Sequence, residues 1–167
     1  GNKFLSHIRE VDAIIHLVRC FDSDKITHVN SKINPVEDLE TIKTEIILSD
    51  LDIVQKKLEK GKKKLLQEKE IKILEEKLKQ LNEGKEATIE DENEKKFLNT
   101  LGLLTIKPKI IVCNVDEESL MKGNAFTESI KKKYSNEKII TICADIEDQI
   151  MGLDKNERET FMKEIGL

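Results

Sequence analysis

The sequence predicts an α/β protein with mainly parallel strands, interrupted by an antiparallel α-helical coiled-coil hairpin. Three short apolar runs, at 11–21, 109–114 and 138–144, have the composition of strands buried on both faces of a parallel sheet. A charged segment separates the first run from the other two, and its apolar residues recur three and four positions apart, as on a helix. The chain of 167 residues is 37% charged and 4% aromatic, so long solvated helices are expected beside a modest core.

The hairpin is predicted from two successive helical segments. The first strand, at 11–21, follows a short helix in FLSHIRE, and the inserted segment begins at Asn34-Pro35 because proline suits the first turn of a helix. Each helix carries one narrow apolar seam, and such seams bury themselves most simply when the helices fold back on each other, with the tip near 60–66. The seams consist of Leu39, Ile42, Ile46, Leu51, Val54 and Leu58, and of Ile71, Leu74, Leu78 and Leu81.

The insertion should return to the sheet through a short helix. An acidic stretch runs to Asn93, and a helix at 94–101 brings Phe97 and its apolar neighbours back towards the strands. Pro108 ends the insertion. A last helix is expected to begin near Asp154, which can cap it.

The second half of the sheet is predicted as one strand, helix, strand unit. The strands at 109–114 and 138–144 flank the amphipathic stretch NAFTESIKKKYS, and connections of this kind between parallel strands are normally right-handed. The chain is therefore divided into a sheet-forming part, a helical insertion and a second sheet-forming part. These parts are 1–34, 35–107 and 108–167.

Composition excludes several classes of protein. A net charge of −4 argues against a uniformly basic nucleic-acid binder. Cys20, Cys113 and Cys143 each fall in an apolar run and are odd in number, so reduced thiols are expected. No apolar stretch reaches the roughly 18 residues of a membrane span, and no signal peptide opens the chain, so we expect a cytoplasmic protein without membrane association. The histidines have no partners at metal-ligand spacing, and no metal site is predicted.

One segment points to a ligand. KPKIIVCNVDE ends a predicted strand on Asn114, Val115, Asp116 and Glu117, the place where nucleotide-binding α/β proteins read the base. No phosphate loop of the form GxxxxGK followed by Ser or Thr occurs in the chain. An asparagine after a strand is also a common turn former. The motif alone leaves both a nucleotide site and a simple turn open.

Several further segments carry a family resemblance. They are GNKFL with the following IRE and DA, VRCFDSDKITHV with NPVEDLETI, then LTIKP, NVDE, CADIE and the closing LD, ER, FM and EIGL. Together these resemble the YchF or Obg-like ATPase family, a branch of the translation-factor-related P-loop GTPases. The resemblance implies a partial P-loop-type nucleotide domain, with the phosphate loop and the magnesium-binding switches before Gly1 and a small TGS domain after Leu167.

The resemblance also implies a function. The intact protein would be a ribosome-associated switch that binds and hydrolyses ATP, or GTP, with Mg²⁺. The catalytic groups would lie upstream, so no catalytic residue is predicted here and this part alone should be inactive. Ribosomal RNA or tRNA is the implied nucleic acid, and no obligate protein partner is implied. Two alternatives stay open: a non-catalytic RNA- or ribosome-binding module, and an ordinary guanine-specific GTPase.

Base contacts follow from the resemblance. Asn114 would contact the base edge, and Val115 would cover one face of the base. Glu117 occupies the position where ordinary GTPases have an aspartate, and its side chain is one methylene longer. That aspartate accepts from N1–H and the N2 amino group of guanine, whereas adenine has an acceptor at N1, so a displaced carboxylate should admit ATP. The remaining predicted contacts are the backbone around Cys143 and Ala144 and stacking by Phe21.

The hairpin is the basic part of the chain. Residues 56–79 contain ten Lys against five Glu, whereas 83–94 contain six acidic residues and one Lys. A Lys-rich tip can neutralise RNA phosphates, although charge alone favours a solvated coiled-coil surface. The candidate contacts with RNA or the ribosome are Lys57, Lys60, Lys62, Lys63 and Lys64.

Overall fold

The chain forms three strands and five helices within the part that the structure describes. The structure is a computed structural model, and it describes residues 12–22, 33–61, 66–145 and 157. The elements are β1 (Ile14–Arg19), α1 (Pro35–Lys60), α2 (Glu68–Asn82), α3 (Glu92–Thr100), β2 (Lys109–Asn114), α4 (Ser119–Lys122), α5 (Ala125–Lys133) and β3 (Lys138–Ile142).

The strands form one parallel sheet in the order β1-β2-β3. β2 and β3 pair in parallel, with Ile111 opposite Ile139 and Asn114 opposite Ile142. β1 runs in the same direction beside β2, since the N–H of Ile14 donates to the carbonyl of Pro108 and, six residues later on both strands, the N–H of Cys20 donates to that of Asn114. The predicted α/β class with parallel strands is confirmed.

One face of the sheet packs on helices. Its core contains residues of β1 and β2 together with Leu39 of α1 and Ile130 of α5, both fully buried. The expectation that β1 is buried on both faces was wrong, because Ile15 is 66% and Leu17 61% exposed. Alternation along the strand places these two side chains opposite the helix-covered face. An unbroken apolar run cannot distinguish a strand covered on one face from a strand covered on both.

The first two helices share a second core. Val54 and Leu58 of α1 pack in one cluster with Leu74 and Leu81 of α2, as their spacing predicts. Seven residues separate the two helices, of which 62–65 lie outside the described residues. Packing between the two predicted seams is therefore observed. The coiled-coil geometry of this pair stays a prediction.

Two buried charged residues stabilise the helical part. Asp50, on α1, is fully buried, and its carboxylate oxygens accept the N–H of Leu104 at 2.9 Å and that of Thr105 at 2.8 Å. Lys77, on α2, is also fully buried, and its Nζ lies 3.2 Å from Oε2 of Glu94. Buried charges are tolerated when they are paired or hydrogen-bonded in this way. Each interaction links two segments of the chain that are distant in sequence.

Helix boundaries follow local capping. α1 begins after Asn34, whose side-chain oxygen accepts the N–H of Glu37 at 3.1 Å. α3 begins two residues earlier than predicted, because Asp91 caps it by accepting the N–H of Glu94 at 2.8 Å. The short α4 was not predicted. The helix predicted in FLSHIRE lies outside the described residues. Of the helix predicted from Asp154, only Glu157 is described, and it is helical and exposed.

The chain forms two compact units. One comprises 1–14 and 40–108, and the other comprises 15–39 and 109–167. The unit boundaries therefore fall within β1, within α1 and between Pro108 and Lys109. The last lies one residue from the predicted boundary between 35–107 and 108–167, and the other two do not match the predicted boundary after residue 34. The three-part division stays a prediction. None of the helices formed by the described residues is both long and apolar enough to cross a membrane.

Candidate functional site

Asn114 ends β2 and is held by a residue that follows β3. Its Oδ1 accepts the backbone N–H of Ala144 at 3.0 Å. Because a backbone N–H can only donate, this contact fixes the orientation of the amide and assigns Nδ2 to the opposite side. The side chain is partly exposed. Asn114 thus presents a fixed pair of N–H donors at the carboxyl edge of the sheet, where parallel α/β sheets bind ligands.

Backbone hydrogen bonds join the ends of all three strands at this edge. The N–H of Cys20, after β1, donates to the carbonyl of Asn114 at 2.8 Å. The N–H of Val115 donates to the carbonyl of Ile142, at the end of β3, also at 2.8 Å. The carbonyl of Cys20 accepts from Nδ2 of Asn124, again at 2.8 Å. The predicted residues around Asn114, Phe21 and Ala144 are therefore brought to one edge.

Val115 and Glu117 have opposite surroundings. Val115 is only 2% exposed and packs in the core beneath the sheet edge. Its burial does not support the predicted contact with a base face. Glu117 is exposed, while the carboxylate of the intervening Asp116 accepts the N–H of Ser119 at 3.1 Å. The Asp116 carboxylate therefore helps to form the turn. The Glu117 carboxylate does not make this hydrogen bond and is exposed to solvent.

Cys143 and Ala144 follow β3. Cys143 is 2% exposed, in keeping with a small apolar residue. The N–H of Ala144, from which a base contact was predicted, is already donated to Asn114. A base that reached this N–H would compete with Oδ1 of Asn114. In this arrangement Ala144 supports the asparagine rather than offering an unused donor.

Phe21 directly follows the Cys20 peptide and is half-buried. The guanidinium carbon of Arg19 lies 4.8 Å from its ring centroid, and Nε of Arg19 donates to the carbonyl of Phe21 at 3.2 Å. This cation–π contact occupies one face of the ring. Only the other face is left for a planar ligand.

Cys20 and Cys113 lie side by side in the same core. Both are fully buried, and neither forms a disulfide. A hydrogen bond with Cys113, and after it burial, raises the pKa of the Cys20 thiol above its ordinary value. The same hydrogen bond lowers the pKa of the Cys113 thiol. Since only a thiolate is a good nucleophile, Cys20 is suited to packing rather than to nucleophilic chemistry.

The predicted basic contacts are described only in part. Lys57 is half-buried and Lys60 exposed, both at the end of α1. Lys62, Lys63 and Lys64 lie outside the described residues.

No group of three or more His, Cys, Asp or Glu within the described ranges could hold a metal ion. A groove of about 1020 Å³ lies in the unit that contains 40–108, with Lys95, Asn99 and Lys107 among its lining residues. None of the predicted base contacts lines it.

Asn124 is the residue at this edge that the sequence argument missed. It caps α5, since its Oδ1 accepts the N–H of Thr127 at 3.0 Å, while its Nδ2 reaches Cys20. The cap was readable from Asn124 standing at the start of the amphipathic stretch NAFTESIKKKYS. The contact with Cys20 was not readable, because 104 positions separate the two residues.

Comparison with known proteins relates the whole chain to one family. It is 39% identical over 178 residues to the ribosome-binding ATPase YchF of Bacillus subtilis, an alignment that covers 100% of this chain and 49% of the relative. It is 40% identical over 182 residues to the ribosome-binding ATPase YchF of Mycoplasma genitalium, covering 100% of this chain and 48% of the relative. No protein-family model matches the chain.

The fold gives the same result. The structure of the Schizosaccharomyces pombe YchF GTPase superposes with a TM-score of 0.88 and 30% identity, covering 99% of this chain and 49% of that one. The chain spans about half the length of the relatives that it matches. Sequence and fold agree over essentially every residue of the chain, which therefore belongs to the YchF family.

Proposed function

We propose that this chain supplies the base-binding edge and a basic helical arm of a nucleotide-dependent switch that acts on the ribosome. In the intact protein the switch would bind and hydrolyse ATP, with GTP as a second substrate, in the cytoplasm. The observation that carries the proposal is the Asn114 side chain, fixed by Ala144 at the carboxyl edge of a parallel sheet. Its support is the alignment of the whole chain with proteins named ribosome-binding ATPases.

Purine binding follows from the donors of Asn114. Both adenine and guanine carry an acceptor at N7, which an amide N–H can meet, so Asn114 would hold either base. Discrimination would then fall to the exposed carboxylate of Glu117. If the Glu117 carboxylate does not reach N1–H and the N2 amino group of guanine, the usual selectivity for GTP is lost and ATP can bind.

Phe21 would stack on the base. Arg19 covers one face of its ring, so the base would meet the remaining face. Stacking between a base and an aromatic side chain contributes about 1–3 kcal/mol and does not depend on which base is present. Phe21 would thus add affinity, and Glu117 selectivity. Cys143 and Ala144 would act by supporting Asn114.

Mg²⁺ and the hydrolytic step are not assigned to residues of this chain. The described residues contain no cluster of carboxylate, thiolate or imidazole groups able to hold the ion. In this proposal the part of the molecule seen here would bind and orient the base, and the phosphate chemistry would be carried by the phosphate loop and magnesium-binding switches that the family resemblance implies.

The basic arm would contact ribosomal RNA or tRNA. Lys60 is exposed at the end of α1, and Lys62, Lys63 and Lys64 follow it after Gly61. Lysines that neutralise RNA phosphates release counterions, so binding should weaken steeply as salt is raised.

Competition between ATP and GTP tests the nucleotide part. A fluorescent adenine nucleotide is bound, with Mg²⁺, to the chain extended to the full length of its relatives, and each triphosphate is used to displace it. We expect ATP to compete at least as well as GTP. Clear preference for GTP would make the protein an ordinary GTPase, and failure of both would leave a non-catalytic ribosome-binding module.

Ribosome co-sedimentation tests the arm. The variant Lys62→Glu, Lys63→Glu, Lys64→Glu should lose most of its ribosome binding and keep its affinity for ATP. The matched control replaces Lys85, Lys95 and Lys96, three exposed lysines of the same unit, with Glu. Equal loss in both variants would indicate a general charge effect, and no loss in either would make the arm a solvated surface.

A further inference from the structure

We propose that Asn124 is a positioning residue for the base-binding edge, which rests on the proposed function above. The described hydrogen bonds of its side chain are with Cys20 and Thr127, not with Asn114 or Phe21. Its side chain donates a hydrogen bond to the carbonyl of Cys20. The N–H of Cys20 is hydrogen-bonded to Asn114, and Cys20 is covalently joined to Phe21. The two residues proposed to contact the base from different sides thus share one support.

The Cys20 peptide connects the two sides. Its N–H donates to the carbonyl of Asn114 at 2.8 Å, and its carbonyl accepts Nδ2 of Asn124 at 2.8 Å. Cys20 is fully buried, so its carbonyl has no access to bulk solvent as an alternative partner. If Asn124 withdrew, this carbonyl would be left short of a donor, and the turn that leads to Phe21 would be expected to shift.

α5 supplies the rigid base from which Asn124 acts. Oδ1 of Asn124 accepts the N–H of Thr127 at 3.0 Å, and the Thr127 hydroxyl oxygen accepts the N–H of Asn124 at 2.9 Å. Thr127 and Ile130 are fully buried on the inner side of α5. Oδ1 of Asn124 accepts an N–H and Nδ2 donates to a carbonyl, so both polar atoms of the side-chain amide are hydrogen-bonded.

The two tasks of Asn124 can be separated by substitution. Asn124→Asp keeps an oxygen acceptor for the N–H of Thr127, and aspartate is a favourable cap. It replaces the donor to Cys20 with a second oxygen, which repels the carbonyl. Thr127→Val does the opposite: it removes the hydroxyl from the reciprocal cap at nearly constant volume and leaves the Asn124 to Cys20 hydrogen bond in place.

The test separates base binding from phosphate binding. On the chain extended to the full length of its relatives, with Mg²⁺, the dissociation constants of ATP and inorganic tripolyphosphate are measured for the unsubstituted protein, Asn124→Asp and Thr127→Val. We expect Asn124→Asp to raise the dissociation constant of ATP about tenfold, as for the loss of one well-placed hydrogen bond. The dissociation constant of tripolyphosphate should stay unchanged. Thr127→Val should lower the melting temperature and leave the preference for ATP over tripolyphosphate unchanged.

The outcomes that overturn the proposal are distinct. Unchanged ATP affinity in Asn124→Asp, with the unsubstituted protein preferring ATP over tripolyphosphate, would remove the role of Asn124 alone. Equal weakening of both ligands, or loss of the ATP preference in Thr127→Val as well, would make Asn124 a residue of general stability. If the unsubstituted protein does not prefer ATP over tripolyphosphate, the base-binding edge itself is wrong.

Discussion

Oδ1 of Asn114 lies 3.0 Å from the backbone nitrogen of Ala144, a residue 30 positions later in the chain. This hydrogen bond couples the ends of β2 and β3 and decides which half of the amide faces outward. An asparagine that served only to form a turn would bond with its own neighbours in sequence. The long-range partner favours a residue that is held in place for a ligand.

Asn114→Asp and Asn114→Ala should have different effects. The aspartate keeps an acceptor for the N–H of Ala144 but loses both amide donors. Asn114→Asp should therefore weaken ATP binding about tenfold and retain most of the free energy of unfolding. The alanine loses both interactions and should weaken ATP and also lower the unfolding free energy by about 1 kcal/mol. Titration of a fluorescent ATP analogue and urea unfolding measure the two effects. If Asn114→Asp binds ATP like the unsubstituted protein, Asn114 only braces the sheet edge.

Shortening Glu117 should shift selectivity towards GTP. Glu117→Asp restores the side-chain length used by guanine-specific proteins, and we expect the affinity for GTP to rise several-fold relative to ATP. Val115→Lys is unsuitable as a companion change, because it would place an ammonium group in the core where Val115 is 2% exposed. Glu118→Asp, at the neighbouring exposed acid, is the matched control. An unchanged ratio of ATP to GTP affinity in Glu117→Asp would contradict the assigned role.

The sequence predicted the elements better than their surroundings. β2 was expected at 109–114 and is observed there, because a run of β-branched residues bounded by polar ones is a local signal. The exposure of Ile15 and Leu17 depends on what packs against each face of the sheet, which no local pattern records. The burial of Lys77 did leave a trace, since it stands three residues after Leu74 and four before Leu81, on the apolar seam.

The candidate site was predictable in identity and not in geometry. The NVDE motif and the family resemblance named Asn114 and Ala144 as separate base contacts. The hydrogen bond between them depends on the register of β2 against β3, which pairs Asn114 with Ile142. Likewise, the place of Val115 in the core follows from strand alternation combined with the helices that cover one face. Residue types can be read from a motif, whereas tertiary pairing fixes which atoms remain for a ligand.

The Cys20 thiol should make the protein less stable in alkali. A hydrogen bond with Cys113, and burial, raise the pKa of Cys20 above its ordinary value of 9.0. The folded chain therefore holds this proton more tightly than the unfolded chain, so the contribution to stability is complete below about pH 9 and declines as the pH rises further. The same hydrogen bond lowers the pKa of Cys113, so both thiols have to be removed to abolish the effect. Urea unfolding between pH 9 and 10.5 should show a smaller decline in the double variant Cys20→Ala, Cys113→Ala than in the unsubstituted protein. Cys143→Ala, which keeps the Cys20 and Cys113 pair, should retain the full decline, and equal slopes in all three proteins would refute the assignment.

The buried ion pair between Lys77 and Glu94 should matter far more than a shorter, exposed pair. Lys77 is fully buried and Glu94 5% exposed, so Lys77→Met leaves an unpaired buried carboxylate and should cost about 3–5 kcal/mol in urea unfolding. Adding Glu94→Gln removes that charge and keeps an acceptor for the N–H of Glu90, which bonds Oε2 of Glu94 at 2.6 Å. The double variant should therefore be more stable than Lys77→Met alone.

An exposed pair on α1 provides the comparison for Lys77. Nζ of Lys56 lies 2.9 Å from Oδ2 of Asp52, with side chains 68% and 58% exposed. Because water screens this pair, Lys56→Met should cost at most about 1 kcal/mol, although its ions are closer than those of Lys77 and Glu94 at 3.2 Å. Similar losses in Lys56→Met and Lys77→Met would mean that burial does not set the contribution of Lys77. A double variant no more stable than Lys77→Met would mean that the loss comes from packing of the lysine stem rather than from the stranded charge.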